Sequence, residues 1–291
     1  MRPVTSEHLL LMAWLLWQRA VAQPTVCPRD EARCAVNADA TTVFHMHCSG
    51  YGAVAQLPPA CREPRVISTL VVSQGTTVDA LQPRVLDGLR VRQLELVGLG
   101  IRSVSVAAFE AVAADLRVLH LQDNRIERLP LGVFRTILHL VRLQLHNNRL
   151  TQLGDGVFSG LVNVVYLTLN MNRISSVDAD AWYAVPSLVT LMLQDNRLGD
   201  GGGGGGRRLL FPDGALGRLE ELRLDANRLP AITADIVSGL PSLRRLYFRS
   251  NDVEALPVDV FRVSRRLEEL DVSSNNITQL TANSFAGQLA L

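Results

Sequence analysis

The segment LRVLHLQDNRI, Leu116 to Ile126, returns along the chain at a fixed interval. It reads LVRLQLHNNRL from Leu140, VVYLTLNMNRI from Val164 and LVTLMLQDNRL from Leu188. It continues as LEELRLDANRL from Leu219, LRRLYFRSNDV from Leu243 and LEELDVSSNNI from Leu267. The starts at 116, 140, 164 and 188 are 24 residues apart, as are those at 219, 243 and 267. Seven matches to L-x-x-L-x-L-x-x-N-x-L are beyond chance, and a period of this size marks a solenoid. Two weaker units precede them: ISTLVVSQGTT from Ile67, with Gly75 in the asparagine slot, and VRQLELVGLGI from Val91, with Leu99 there. Terminal units are often atypical because they cap the stack.

Each unit has too few apolar residues to bury a core alone, so it must add one rung to a core shared with its neighbours. Leu119 and Leu121 stand two apart, which is strand periodicity. They point inward while Val118, His120 and Gln122 point out. Successive strands then lie side by side about 4.8 Å apart. The expected fold is an α/β solenoid of at least nine rungs from Ile67, with right-handed crossovers.

The repeat resembles that of the extracellular leucine-rich-repeat proteins of animals, and the likeness covers nearly all of the chain after its first residues. It implies a horseshoe with a parallel concave sheet and an irregular or short-helical convex side. It also implies that Asn124, Asn148, Asn172, Asn196, Asn227, Asn251 and Asn275 form a buried ladder where each strand turns away. An amide carries both donors and an acceptor, so it can satisfy either kind of stranded backbone group. Phe109, Phe134, Phe158, Trp182, Phe261 and Phe285, with Val237 in the same slot, fall eighteen residues after each start and resemble a stacked aromatic spine. In the unit from Leu188 that slot is blurred, with Phe211 and Leu216 both available.

The leading residues read as a signal peptide, residues 1–22: an apolar run from Leu9 to Trp17, then Ala20-Val21-Ala22 before the cleavage point. Nine apolar residues are too few to span about 30 Å of hydrocarbon. Residues 23–66 then hold all four cysteines, Cys27, Cys34, Cys48 and Cys61. In a secreted chain an even number reads as two disulfides. They are expected to staple a cysteine-rich cap over the open edge of the first rung, and HCSGYGAVAQLPPAC resembles the end of such a cap. Connectivity stays open, because the spacing departs from the family's tight cluster. Zinc on His45, His47 and Cys48 is the competing use, disfavoured in an oxidising compartment. Repeats fill 67–291, no cysteine-rich C-terminal cap follows, and the chain reads as truncated there. Asn276-Ile277-Thr278 is an N-glycosylation sequon, with Asn276 expected at the surface beside Asn275.

With 29 basic and 28 acidic residues, the chain has no global pull toward nucleic acid or membrane. Every basic residue is Arg, which fits GC-rich coding as well as selection for carboxylate grip. A glycine-rich insertion, 199–208, lengthens the step from 188 to 219 to 31. No Lys-Ser or Lys-Thr follows its glycines, so a phosphate cradle is disfavoured against a flexible loop.

No catalytic constellation appears, and neither an enzyme nor a cofactor is expected. Function is placed on the exposed sheet face. The candidate ligand-binding residues are His120, Gln144, His146, Tyr166, Thr168, Met192, Arg223, Arg245, Tyr247 and Arg249, densest between Tyr166 and Arg249. Aromatic, Met and Arg side chains on a rigid surface are what interfaces favour. The resemblance implies recognition of an extracellular protein or glycoconjugate, with no nucleic acid and no membrane span. Localisation is expected to be secreted, or the outer side of the plasma membrane. A receptor or adhesion module is the first reading, and a structural matrix component the alternative.

Overall fold

The computed structural model describes residues 33–38, 44–49, 67–72, 78–200, 211–281, 283–285, 288 and 291. The expected signal peptide, Cys27, Cys61 and the glycines from Gly201 to Gly206 lie outside them.

In chain order the strands are β1 (Arg33–Ala38), β2 (Phe44–Ser49), β3 (Ile67–Val72), β4 (Ala80–Leu81), β5 (Val91–Leu96) and β6 (Ser103–Val104). Then come β7 (Val118–His120), β8 (Arg142–Gln144), β9 (Gln152–Leu153), β10 (Tyr166–Thr168) and β11 (Ser176–Val177). Last are β12 (Thr190–Met192), β13 (Glu221–Arg223), β14 (Arg245–Tyr247) and β15 (Glu269–Asp271). Nine of them form one parallel sheet in the order β15-β14-β13-β12-β10-β8-β7-β5-β3. Neighbours in that sheet are neighbours in the repeat, so this is a solenoid with at least nine rungs. Among the described residues the return sides carry the short pairs β4–β6 and β9–β11, 3₁₀ turns at Glu110–Val112 and Ala179–Ala184, and one helical turn at Ala234–Val237. β1 and β2 pair antiparallel beside β3, and their register sets the backbone of Cys34 opposite that of Cys48.

The core is the leucine lattice that the period dictates. Leu119, Leu121, Leu143, Leu145, Leu167 and Leu169 have no solvent exposure. The aromatic slot is buried from Phe109 through Phe134, Phe158 and Trp182. Phe109 and Phe134 stack at 6.2 Å between centroids, and Phe158 lies 5.9 Å from Trp182. Phe211 continues the spine in the irregular unit, 5.3 Å from Trp182, while Leu216 is buried as well. Phe285 departs from the expected pattern. It is 36% exposed and does not act as a core residue.

The asparagine ladder has a direction. Asn172 accepts from the N–H of Leu150, one rung back, and donates to the carbonyl of Leu145 in that rung and of Leu169 in its own. Asn124, Asn148, Asn196 and Asn251 repeat the scheme at distances near 3 Å. Each amide therefore closes the turn of the rung before it. Asn275 makes the same bonds while only half-buried.

The residue before each ladder asparagine lies in the left-handed region. Asp123, Asn147, Met171, Asp195, Ala226, Ser250 and Ser274 all have φ between 52° and 60°. Gly98 takes this place in the unit from Val91, with φ of 68°. Asp123, Asn147 and Asp195 are types that tolerate this conformation, whereas the turn imposes it on Met171, Ala226, Ser250 and Ser274.

Candidate functional site

The exposed side chains of the sheet form columns because the register is unbroken. One column runs Gln93, Val118, Arg142, Tyr166, Thr190, Glu221, Arg245 and Glu269. The next runs Glu95, His120, Gln144, Thr168, Met192, Arg223, Tyr247 and Asp271. The insertion in the unit from Leu188 leaves this intact: Thr190 pairs with Glu221 and Met192 with Arg223. Every sequence-selected candidate therefore shares one face, from His120 on β7 to Arg249 just after β14.

Within that face the candidates are not equivalent. Thr168 is 3% exposed, and its hydroxyl lies 3.1 Å from His146 Nδ1. It holds the imidazole in place more than it offers a group to solvent. His120 Nδ1 stands 3.8 Å from Glu95 Oε1. Burial pushes the pKa of His120 down, against the upward pull of Glu95, and burial likewise lowers that of His146. Desolvation disfavours the imidazolium form, so burial favours the neutral ring at both positions. His120 and Gln144 are half-buried, as are Tyr166, Met192, Arg223, Arg245 and Tyr247, while Arg249 is exposed.

Two tyrosines carry a cation on one ring face. The Arg142 guanidinium carbon sits 4.7 Å from the Tyr166 centroid, and that of Arg223 sits 4.3 Å from the Tyr247 centroid. The Tyr166 hydroxyl also donates to Met192 Sδ at 3.4 Å. Such contacts fix a large side chain before any ligand arrives.

The charged end is more balanced than its arginines suggest. Glu221 accepts from Arg223 Nε at 2.8 Å and from Arg245 Nη2 at 2.9 Å. Burial raises the Glu221 pKa, but these two hydrogen bonds outweigh it and hold the carboxyl below its usual range. Asp225 accepts from the Arg249 N–H at 2.8 Å. Burial still pushes Asp225 upward. Four carboxylates (Glu221, Asp225, Glu269, Asp271) thus face three guanidiniums (Arg223, Arg245, Arg249). The sequence columns give the residues of this network; the pairing of Glu221 with both neighbours emerges only with the side chains in place.

Among the described residues no group of three or more His, Cys, Asp or Glu is placed to hold a metal ion. No helix among them is long and apolar enough to cross a membrane.

A family model described as Leucine rich repeat matches residues 138–198, 217–277 and 241–291. The fold is that of a leucine-rich-repeat solenoid. No curated protein matches its sequence significantly. Among solved structures this leucine-rich-repeat solenoid is similar to TLR13 in the TLR13–ssRNA13 complex, with 20% identity and a TM-score of 0.67 over 77% of this chain and 31% of that one. It is similar to an LRR protein of Leptospira interrogans, with 25% identity and a TM-score of 0.59 over 72% of this chain and 50% of the other. A third is human 5T4 (Wnt-activated inhibitory factor 1, trophoblast glycoprotein), with 25% identity and a TM-score of 0.57 over 67% and 72%. The leucine-rich-repeat chain thus spans about a third of TLR13 and half of the Leptospira protein.

Proposed function

We propose that this leucine-rich-repeat chain is a secreted or cell-surface binding module that takes a protein or glycoconjugate ligand on its concave sheet face. The observation that carries the reading is the pre-ordered set on adjacent strands between Tyr166 and Arg249. Two tyrosines braced by arginines, a methionine and a charge-balanced network stand on a rigid sheet. Such a surface binds without a large ordering cost, and balanced charges favour a partner with its own mixed polarity over a polyanion. The human 5T4 neighbour is named a glycoprotein, which suits the extracellular setting. TLR13 was solved with ssRNA13, but the likeness to it at 20% identity supports the fold and not the ligand.

The test begins with capture from arrays of extracellular proteins and glycans by the secreted chain. Alanine at Tyr247 or Arg223 is then expected to weaken binding by about 1–3 kcal/mol. Both project outward, so the melting temperature should stay close to that of the parent. Losses confined to the convex side, or to substitutions at the glycines from Gly201 to Gly206, would sink the reading.

The extracellular setting carries its own check. Asn276 is exposed beside the ladder residue Asn275. On this reading a eukaryotic host attaches a glycan there, and Cys27, Cys34, Cys48 and Cys61 form two disulfides in an N-terminal cap over residues 23–66. Intact-mass measurement of the secreted chain reads both: a mass drop on enzymatic deglycosylation, and no alkylation without reduction. An unchanged mass together with four free thiols would remove the secretion argument.

A further inference from the structure

One side of the solenoid carries an exposed apolar strip that the concave face does not use. The residue preceding each strand of the main sheet forms a continuous backbone ladder. Val141 N–H donates to Arg117, Val165 to Val141, Val189 to Val165 and Glu220 to Val189, all within 2.8–2.9 Å. The side chains of this column are therefore stacked on successive rungs. Val141 and Val165 are 41% and 38% exposed. Three residues earlier in each rung, Leu138 and Val162 are 47% and 45% exposed, and Pro186 follows in the same place. Asn163 Nδ2 donates to the Leu138 carbonyl at 2.8 Å, which ties the two rungs side by side there. In this column three consecutive rungs present valine, with Val189 half-buried, between charged Arg117 and Glu220; in the column three residues earlier Leu138, Val162 and Pro186 lie between Ala114 and Gly217.

The flanking charges have a symmetry. Two rungs before Val165 the column holds Arg117, and two rungs after it holds Glu220. Two residues before these, in the neighbouring column, the signs reverse: Asp115 on the early side, where Arg90 already pairs with it at 2.9 Å, and Arg218 on the late side. A two-fold axis lying in the contact plane at Val165, perpendicular to the stacking direction, brings each rung opposite its mirror-numbered rung in the same column. Val165 then meets Val165, Val141 meets Val189, Arg117 meets Glu220, and Asp115 meets Arg218. One further rung out, Arg92 faces Arg244, and Arg244 is already neutralised by Glu268. A strip that complements itself under one rotation is the signature of an isologous interface.

We propose that this strip is the interface of a two-fold dimer of this chain, with the solenoids antiparallel and both concave faces left open. The proposal goes beyond the ligand-binding reading and does not depend on it. Five rungs at about 4.8 Å give a strip about 24 Å long. That is short for an obligate dimer, so the association is weak and reversible, in the micromolar range.

Sedimentation velocity on the secreted chain, from about 1 to 300 μM, reads the result directly. The weight-average mass is expected to climb toward that of a dimer. Val165→Asp should hold the chain monomeric. Arg117→Glu alone and Glu220→Arg alone should each weaken self-association at least about tenfold, by setting like charges opposite one another. Mixing these two variants, or combining them in one chain, should restore it, because each change supplies the other's lost partner. All three residues reach solvent, so unchanged melting temperatures would show that folding is not the cause. A chain that stays monomeric throughout, or a dimer indifferent to both charge reversals, overturns the proposal. So does a monomer whose strip proves to be needed for capture of a different protein.

Discussion

Replacing Leu143 with Asp is expected to abolish folding of the central repeats. Leu143 on β8 has no solvent exposure and sits in register between Leu119 and Leu167. An unpaired carboxylate there meets only apolar side chains. The cost of burying it, or of protonating it and burying the acid, exceeds about 4 kcal/mol. A domain holds only about 5–15 kcal/mol in reserve. In a one-dimensional stack the damage spreads to the two neighbouring rungs first, since each rung is stable only through those contacts. Circular dichroism should show a large loss of cooperative melting. A variant that melts like the parent would mean that the inward phase of the leucines is wrong.

Asn196→Ala is expected to be the next most damaging change, and its footprint should be displaced. Asn196 accepts from Ile174 N–H at 3.0 Å and donates to the carbonyls of Leu169 at 3.0 Å and Leu193 at 2.9 Å. Alanine strands these buried groups, at about 1–3 kcal/mol for each one left without a partner. A total loss of about 2–4 kcal/mol follows once partial relaxation is allowed. Hydrogen exchange should show the largest gain in rate at the Ile174 amide, in the rung before the substitution. The exposed Asn276→Ala serves as control, with a change within about 0.5 kcal/mol. Equal effects at the two positions, or exchange confined to residues after 196, would contradict the direction assigned to the ladder.

The fold was legible because its determinants repeat. A leucine at every second strand position, an asparagine at one phase and an aromatic at another are each weak alone, and nine rungs multiply them. Where the phase breaks, legibility fails with it. The step of 31 between Leu188 and Leu219 left Phe211 and Leu216 undecided, and only the stacking of Phe211 on Trp182 separates their roles. Phe285 matched the aromatic phase, yet it is part-exposed, because phase alone does not fix burial.

The candidate face was legible as positions and less so as interactions. Alternation lists the outward residues, and the parallel register aligns them as listed. It does not say that Thr168 is covered beside His146, nor that one carboxylate, Glu221, takes two arginines. Those outcomes depend on side-chain reach across neighbouring strands, which the period of the sequence does not encode. The apolar strip was missed for a different reason. Its valines precede the strands, and hydrophobic residues there merge visually with the core pattern.

The left-handed residue in each rung bears on how such a chain can change. Met171 and Ala226 hold φ of 55° and 52° with side chains that gain nothing from it. Glycine or asparagine at either place would recover about 1 kcal/mol. The two lie two rungs apart, so their gains should be roughly additive. The solenoid thus carries a latent margin of stability in its turns, separate from the face proposed to meet a ligand. A lineage, or an engineer, can draw on that margin to offset destabilising changes on the concave surface, and so alter what is recognised without altering what is folded.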